Sequence, residues 1–183
     1  YSNSRFPLAY FLDAGYVRVE PGSSAISADS TTLTAALGAN PVHELGLFGF
    51  ATQTDTDGKL GILPLTYKSD RLDLGGHYKF SPTSQLWLKL GDNKEKTRLS
   101  GRIPDGDLAY SSDTDTREYQ LRHIFSVDAN TQVTWGYETA SLDTPQALSI
   151  TLPNYPDNPA VNSIKAQNRS SDAYLSGRFS LTD

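Results

Sequence analysis

The stretch SDRLDLGGHYKFSPTSQLWLKL, residues 69–90, alternates apolar and polar side chains almost without a slip on both sides of a short turn. Before the turn, Leu72, Leu74, Gly76, Tyr78 and Phe80 share one parity, while Arg71, Asp73, Gly75, His77 and Lys79 share the other. After it, Leu86, Leu88 and Leu90 alternate with Gln85, Trp87, Lys89 and Gly91. A two-residue period marks an extended strand with one dry face and one wet face. The intervening Ser81, Pro82, Thr83 and Ser84 carry turn chemistry, so the stretch reads as a β-hairpin.

The pattern recurs along the whole chain. Phe6, Leu8, Tyr10, Leu12 and Ala14 form one arm, ended by the Pro-Gly-Ser-Ser run from Pro21. Leu33, Ala35, Leu37 and Ala39 alternate with Thr32, Thr34, Ala36 and Gly38, and a short turn at 40–43 leads into Leu45, Leu47, Gly49 and Ala51. Residues 117–125 meet a turn at 126–130, beyond which Val133, Trp135 and Tyr137 alternate with Thr134, Gly136 and Glu138. A last arm sets Ala173, Leu175, Gly177, Phe179 and Leu181 against Asp172, Tyr174, Ser176 and Arg178. About eight antiparallel strands are predicted, with no helix between them, in a single unit over residues 1–183.

The connections carry a second signal. Those at 40–43, 81–84 and 126–130 are tight, whereas 21–29, 55–65, 100–113 and 145–167 are polar and rich in Asp, Gly, Pro and Ser, and are expected to be long loops. Alternating short and long connections suit a transmembrane barrel, whose turns are short on one side of the membrane and long on the other. In hydrocarbon every backbone amide has to be paired within the protein, so a sheet crosses only if it closes on itself. Composition sets limits here: net charge −5 gives no basic surface for nucleic acid, and no apolar run reaches the ~20 residues of a transmembrane helix. The absence of cysteine removes disulfides, thiolate metal sites and thiol nucleophiles. A start at Tyr1 with no signal-like segment reads as a mature or excised chain.

The arm-turn-arm units LDLGGHYKFSPTSQLWLKLG and YQLRHIFSVDANTQVTWGYE resemble those of Gram-negative outer-membrane β-barrel proteins, and the likeness covers nearly the whole chain. It implies an antiparallel up-and-down transmembrane β-barrel in the bacterial outer membrane, porin-like, with no enzymatic activity and no cofactor. Two sub-types fit. One is a small closed barrel of the OmpA type, acting as membrane anchor or adhesin through its loops. The other is a segment of a larger barrel, similar to porins or to the sleeves of multihaem cytochrome conduits; the ending FSLTD, without a terminal aromatic residue, tilts toward it. A soluble β-sandwich binding module is the remaining alternative, its Leu and Tyr packed between two sheets.

Each residue then has an expected place. Arg71, Asp73, His77, Lys79, Lys89, Glu95, Glu118, Arg122, Glu138, Asp172 and Arg178 are expected to line a polar lumen. Leu72, Leu74, Tyr78, Phe80, Leu86, Leu88, Leu90, Val133, Trp135, Tyr137, Leu175 and Phe179 are expected to face lipid, with Phe125 joining the aromatics near the tight turns. The expected partners are membrane lipid, lipopolysaccharide, further strands of the same barrel or a protein inside it, and not nucleic acid. His43, His77 and His123 lie without a nucleophile motif, so no catalytic residue is assigned. The acidic run DTDGKL lacks the later Glu of a calcium loop, and it reads with PDGDLAYSSDTD and YPDNPAVN as solvated turns, so no metal site is assigned.

Overall fold

A computed structural model of the chain describes residues 8–19, 26–128, 130–152 and 159–179, with the side chains of Ile26 and Phe179 left out. The earlier readings at Phe6, 21–25, 153–158 and Leu181 lie outside the described residues. Eight strands are formed: β1 (Leu8–Val19), β2 (Ile26–Val42), β3 (Leu45–Leu60), β4 (Leu63–Ser81), β5 (Ser84–Ile103), β6 (Gly106–Ser126), β7 (Thr131–Thr151) and β8 (Ala160–Phe179). They make one antiparallel sheet in sequence order, each strand hydrogen-bonded to its chain neighbours. The all-β, up-and-down arrangement follows from the alternation. A side chain on every second position can be dry only if its strand lies flat in a sheet.

Two expectations are corrected. The sheet does not close: among the described residues β1 and β8 neither pair nor touch. The stretches expected as long loops are also largely strand. Residues 26–29 begin β2, and two-residue turns at Gly61-Ile62 and Pro104-Asp105 join strands that run through 55–60, 63–65, 100–103 and 106–113. Residues 145–151 and 160–167 likewise belong to β7 and β8. The Asp, Ser and Thr that suggested loops are solvated on a backbone that pairs with its neighbouring strands, which offsets the cost of extending it. Gly61 makes its turn possible with a φ of 64°, at the first central position where a type II′ hairpin takes glycine.

Irregularities sit where the chain needs them. Pro41 falls in the slip of register between Ala39 and Val42, and a second slip lies between Lys79 and Ser81. Pro145, which has no N–H to give, lies where the β6–β7 ladder lapses at Asp113 and Thr114 before resuming in the same register. At the tight-turn end adjoining hairpins are tied together. The Lys79 amide donates to the Glu44 carbonyl and the Ser126 amide to the Thr83 carbonyl, both at 2.8 Å.

The sheet has no second layer. Among the described residues no apolar side chain is buried. The chain exposes 12960 Å², about half as much again as the roughly 8,700 Å² expected of a compact protein of this mass.

Candidate functional site

Side chains of paired residues share a face, so the register sorts the sheet into two surfaces. One row runs His77, Trp87, Arg122, Gly136, Tyr174; the next runs Gly75, Lys89, Gln120, Glu138, Asp172; a third joins Asp73, Gly91 and Glu118. Arg71 lies opposite Asn93, Lys79 opposite Gln85, Glu95 between Ser69 and Thr114, and Arg178 opposite Gln132. All eleven residues expected to line a lumen therefore share one face. Five are cations (Arg71, Lys79, Lys89, Arg122, Arg178) and five are carboxylates (Asp73, Glu95, Glu118, Glu138, Asp172), with His77 beside them.

At the centre of this face four of them form an ion network. Arg71 Nε donates to Asp73 Oδ2 at 2.9 Å, and Lys89 Nζ stands 3.5 Å from both Asp73 Oδ1 and Glu118 Oε2. Arg71 also reaches Glu118 at 3.9 Å, two strands away. Gly91 sits beneath the network, and a Cβ there would lie 2.8 Å from Asp73 Oδ1. The same device recurs at Gly136. Arg122 Nε crosses it to the Tyr174 hydroxyl at 3.0 Å, and the Tyr174 ring occupies the space a Cβ would take. Gln120 donates to Glu138, Asn93 to Glu95 at 2.9 Å, and the His77 and Trp87 rings stack 4.8 Å apart. Asp73 is 7% exposed, whereas its neighbours Leu72 and Leu74 on the opposite face are 46% and 47% exposed. Side chains crowd on one face and splay on the other, as happens when a sheet curls toward the first.

Gly91, Gly136, Gln120, Tyr174 and Trp87 complete this face but were not singled out from the sequence. Their parity places them there. Their partnership depends on which residue stands opposite, and a single strand does not contain that information.

The opposite face carries Leu72, Leu74, Tyr78, Phe80, Leu86, Leu88, Leu90, Val133, Trp135, Tyr137 and Leu175, with Phe179 at the same parity in the register. Most are exposed, Leu175 to 76%. Near the tight turns, aromatic groups gather around His123. The Phe80 and Trp135 rings stand 6.3 and 5.5 Å from it, and Tyr78 packs 5.0 Å from Phe80. His123 Nε2 lies 2.9 Å from Ser84 Oγ, a Ser–His contact that the sequence did not announce. Among the described residues His123 Nδ1 has no partner, so no third group there orients the pair as a catalytic base would need.

Farther from the tight turns this same face turns ionic. Arg98 pairs with Asp113 at 2.8 Å, Lys68 with Asp55 at 3.1 Å and Lys165 with Asp143 at 3.3 Å. The Asp29 carboxyl is held below the ordinary carboxylate range by hydrogen bonds from Arg18 and then from the Tyr16 hydroxyl, each at 2.8 Å. Asp55 raises the Lys68 ammonium in the same way. Cations and acids alternate here. Among the described residues no group of three His, Asp or Glu side chains is placed to hold a metal ion.

Comparison with protein families, curated proteins and solved structures finds no match to this chain. The described residues form a single layer, apolar on one side and, from β4 to β8, ionic on the other at the same height, with Phe11, Phe48 and Phe50 on that second face over β1 and β3.

Proposed function

We propose that the chain is wall of a transmembrane β-barrel in a bacterial outer membrane, with the leucine-rich face against lipid and the ionic face lining a polar interior. One observation carries this reading: a chain of 183 residues buries no apolar side chain among the described residues, yet gathers Leu47, Leu72, Leu74, Leu86, Leu88, Leu90 and Leu121 on one face of a single sheet. Burial of apolar area is the main favourable term in folding, so a layer like this needs a cover that the chain does not itself supply. Hydrocarbon is such a cover, and it requires further strands to pair the two open edges.

The mechanism is passive. The sheet keeps lipid and an aqueous interior apart, and the lining sets what the interior holds. Cations and carboxylates are equal in number on the lining, so the wall accepts a polar occupant without a strong preference for either sign. Lipopolysaccharide is the partner in reach of the ionic arms beyond the belt, and further strands are the partners for the two open edges.

The test is extraction and reconstitution. The protein is expected to require detergent or lipid to remain dispersed and to partition into vesicles of phosphatidylethanolamine and phosphatidylglycerol. A monodisperse species in plain buffer, with the Leu88 face shielded by protein, would overturn the reading.

A further inference from the structure

The leucine-rich belt has an edge, and the edge does not follow the hydrogen-bonded rows. An unbroken row joins Leu8, Ala39, Leu47, Gly76, Leu88, Leu121, Tyr137 and Ala173 across all eight strands. On the belt face the apolar or aromatic run ends at Tyr16 on β1, eight residues beyond Leu8, and at Leu33 on β2, six beyond Ala39. It ends four residues beyond the row at Ala51 and Leu72, and two beyond it at Leu90 and Tyr119. On β7 and β8 it ends on the row itself, at Tyr137 and Ala173. The next belt-face residues are Arg18, Thr31, Gln53, Asp70, Asp92, Arg117, Thr139 and Ser171, so the boundary is sharp on every strand.

The edge therefore falls by eight residues over seven strand-to-strand steps. At ~3.3 Å per residue and ~4.8 Å per strand this is a straight line inclined by about 38° to the rows. The tight turns slant the same way. The pairs that close them lie two residues below the row at Leu45, four below at Ser84 and five below at Gln132. Tyr16, Tyr119 and Tyr137 fringe one edge, and Tyr78, Phe80 and Phe125 fringe the other.

The geometry points to a planar lipid bilayer as the occupant of this belt, crossed by strands tilted about 40° from the membrane normal. The inference rests on the barrel-wall reading above and gives it an orientation residue by residue. A protein partner covers a patch, whereas a slab of hydrocarbon draws one straight contour across every strand it meets. The inclination is that of strands in transmembrane barrels, ~35–45°, and two aromatic fringes are what two water–lipid interfaces select. On β4 the belt from Leu72 to Phe80 spans about 26 Å along the strand and about 21 Å along a normal so tilted, near the ~25 Å apolar band of such walls.

The chain has no native cysteine, so single cysteines carrying a nitroxide label report depth cleanly. The full chain is reconstituted into vesicles of phosphatidylethanolamine and phosphatidylglycerol, and relaxation by oxygen is compared with relaxation by a water-soluble nickel chelate. Labels on the contour, at Ala51→Cys, Leu90→Cys and Ala173→Cys, are expected at one common depth; Leu72→Cys and Tyr119→Cys are substitutes on the same contour. Labels on the row, at Leu47→Cys, Leu88→Cys and Ala173→Cys, are expected to differ steadily, Leu47 lying about 10 Å deeper than Ala173. Equal depths along the row and unequal depths along the contour would mean upright strands, which sinks the orientation and leaves the membrane wall standing. Chelate access at every label, or no partition into the vesicles, sinks both.

Discussion

At the scale of single residues, two glycines govern how the ionic face packs. At Gly136 an added methyl would meet the Leu121 carbonyl oxygen at 2.8 Å as well as the Tyr174 ring. Backbone cannot move aside as a side-chain tip can. Gly136→Ala is therefore expected to cost about 1–3 kcal/mol, read as a shift in urea unfolding in detergent micelles. At Gly91 the nearest atom is the tip of Asp73, and Gly91→Ala is expected to cost about 1 kcal/mol or less, since strand alanine also recovers backbone entropy. Asp29 supplies a pH signature. Because Arg18 and Tyr16 lower its folded pKa, their contribution is present above the ordinary aspartate value and is lost as pH falls through the lower folded one. A carboxyl-carbon NMR titration should place Asp29 below a typical aspartate, and Arg18→Ala should bring it back up.

At the scale of strands, what was legible and what was not have one cause. Alternation is visible wherever one face is apolar, so the arms around Leu72–Phe80, Leu86–Leu90 and Val133–Tyr137 and the parity of every lining residue could be read from the chain alone. Beyond the belt the outward face becomes charged, as at Lys94, Lys96 and Arg98, while Glu95 and Thr97 between them are polar too. The period vanishes there although the strand continues, and for this reason β5 and β6 were expected to end in loops. Glycine windows and the slanted contour exist only between strands, so they follow from register. The face assignment is tested on adjacent residues of β5. Leu88→Arg is expected to weaken assembly in vesicles by roughly 2–4 kcal/mol. Lys89→Ala, which leaves Arg71 beside Asp73, is expected to cost no more than about 1 kcal/mol. Equal penalties would contradict the two-faced wall.

For the whole molecule, the decisive quantity is what the sheet leaves unpaired. β8 presents a twenty-residue edge with no proline, and its ladder to β7 runs from Thr131 to Ile150 without a slip. Natural proteins that keep such an edge free usually blunt it with proline, a bulge or inward charge. The edge of β1 is shorter but equally regular. Cysteines introduced at Tyr16 and Leu175, both on the belt face, separate the ways these edges are met. A closed eight-stranded ring is expected to crosslink within one chain, a ring of several copies is expected to give a ladder of linked chains, and a wall completed by other strands is expected to give neither; non-reducing gels distinguish the three.

Serial order has a further consequence. Because every strand touches only the strands before and after it in the chain, no portion of the sheet has to wait for a distant segment to arrive. The structure can accrete one hairpin at a time from either margin. A polypeptide interrupted at a tight turn would already possess the finished geometry of everything made so far, a convenient property for something delivered into its surroundings as an unfolded thread.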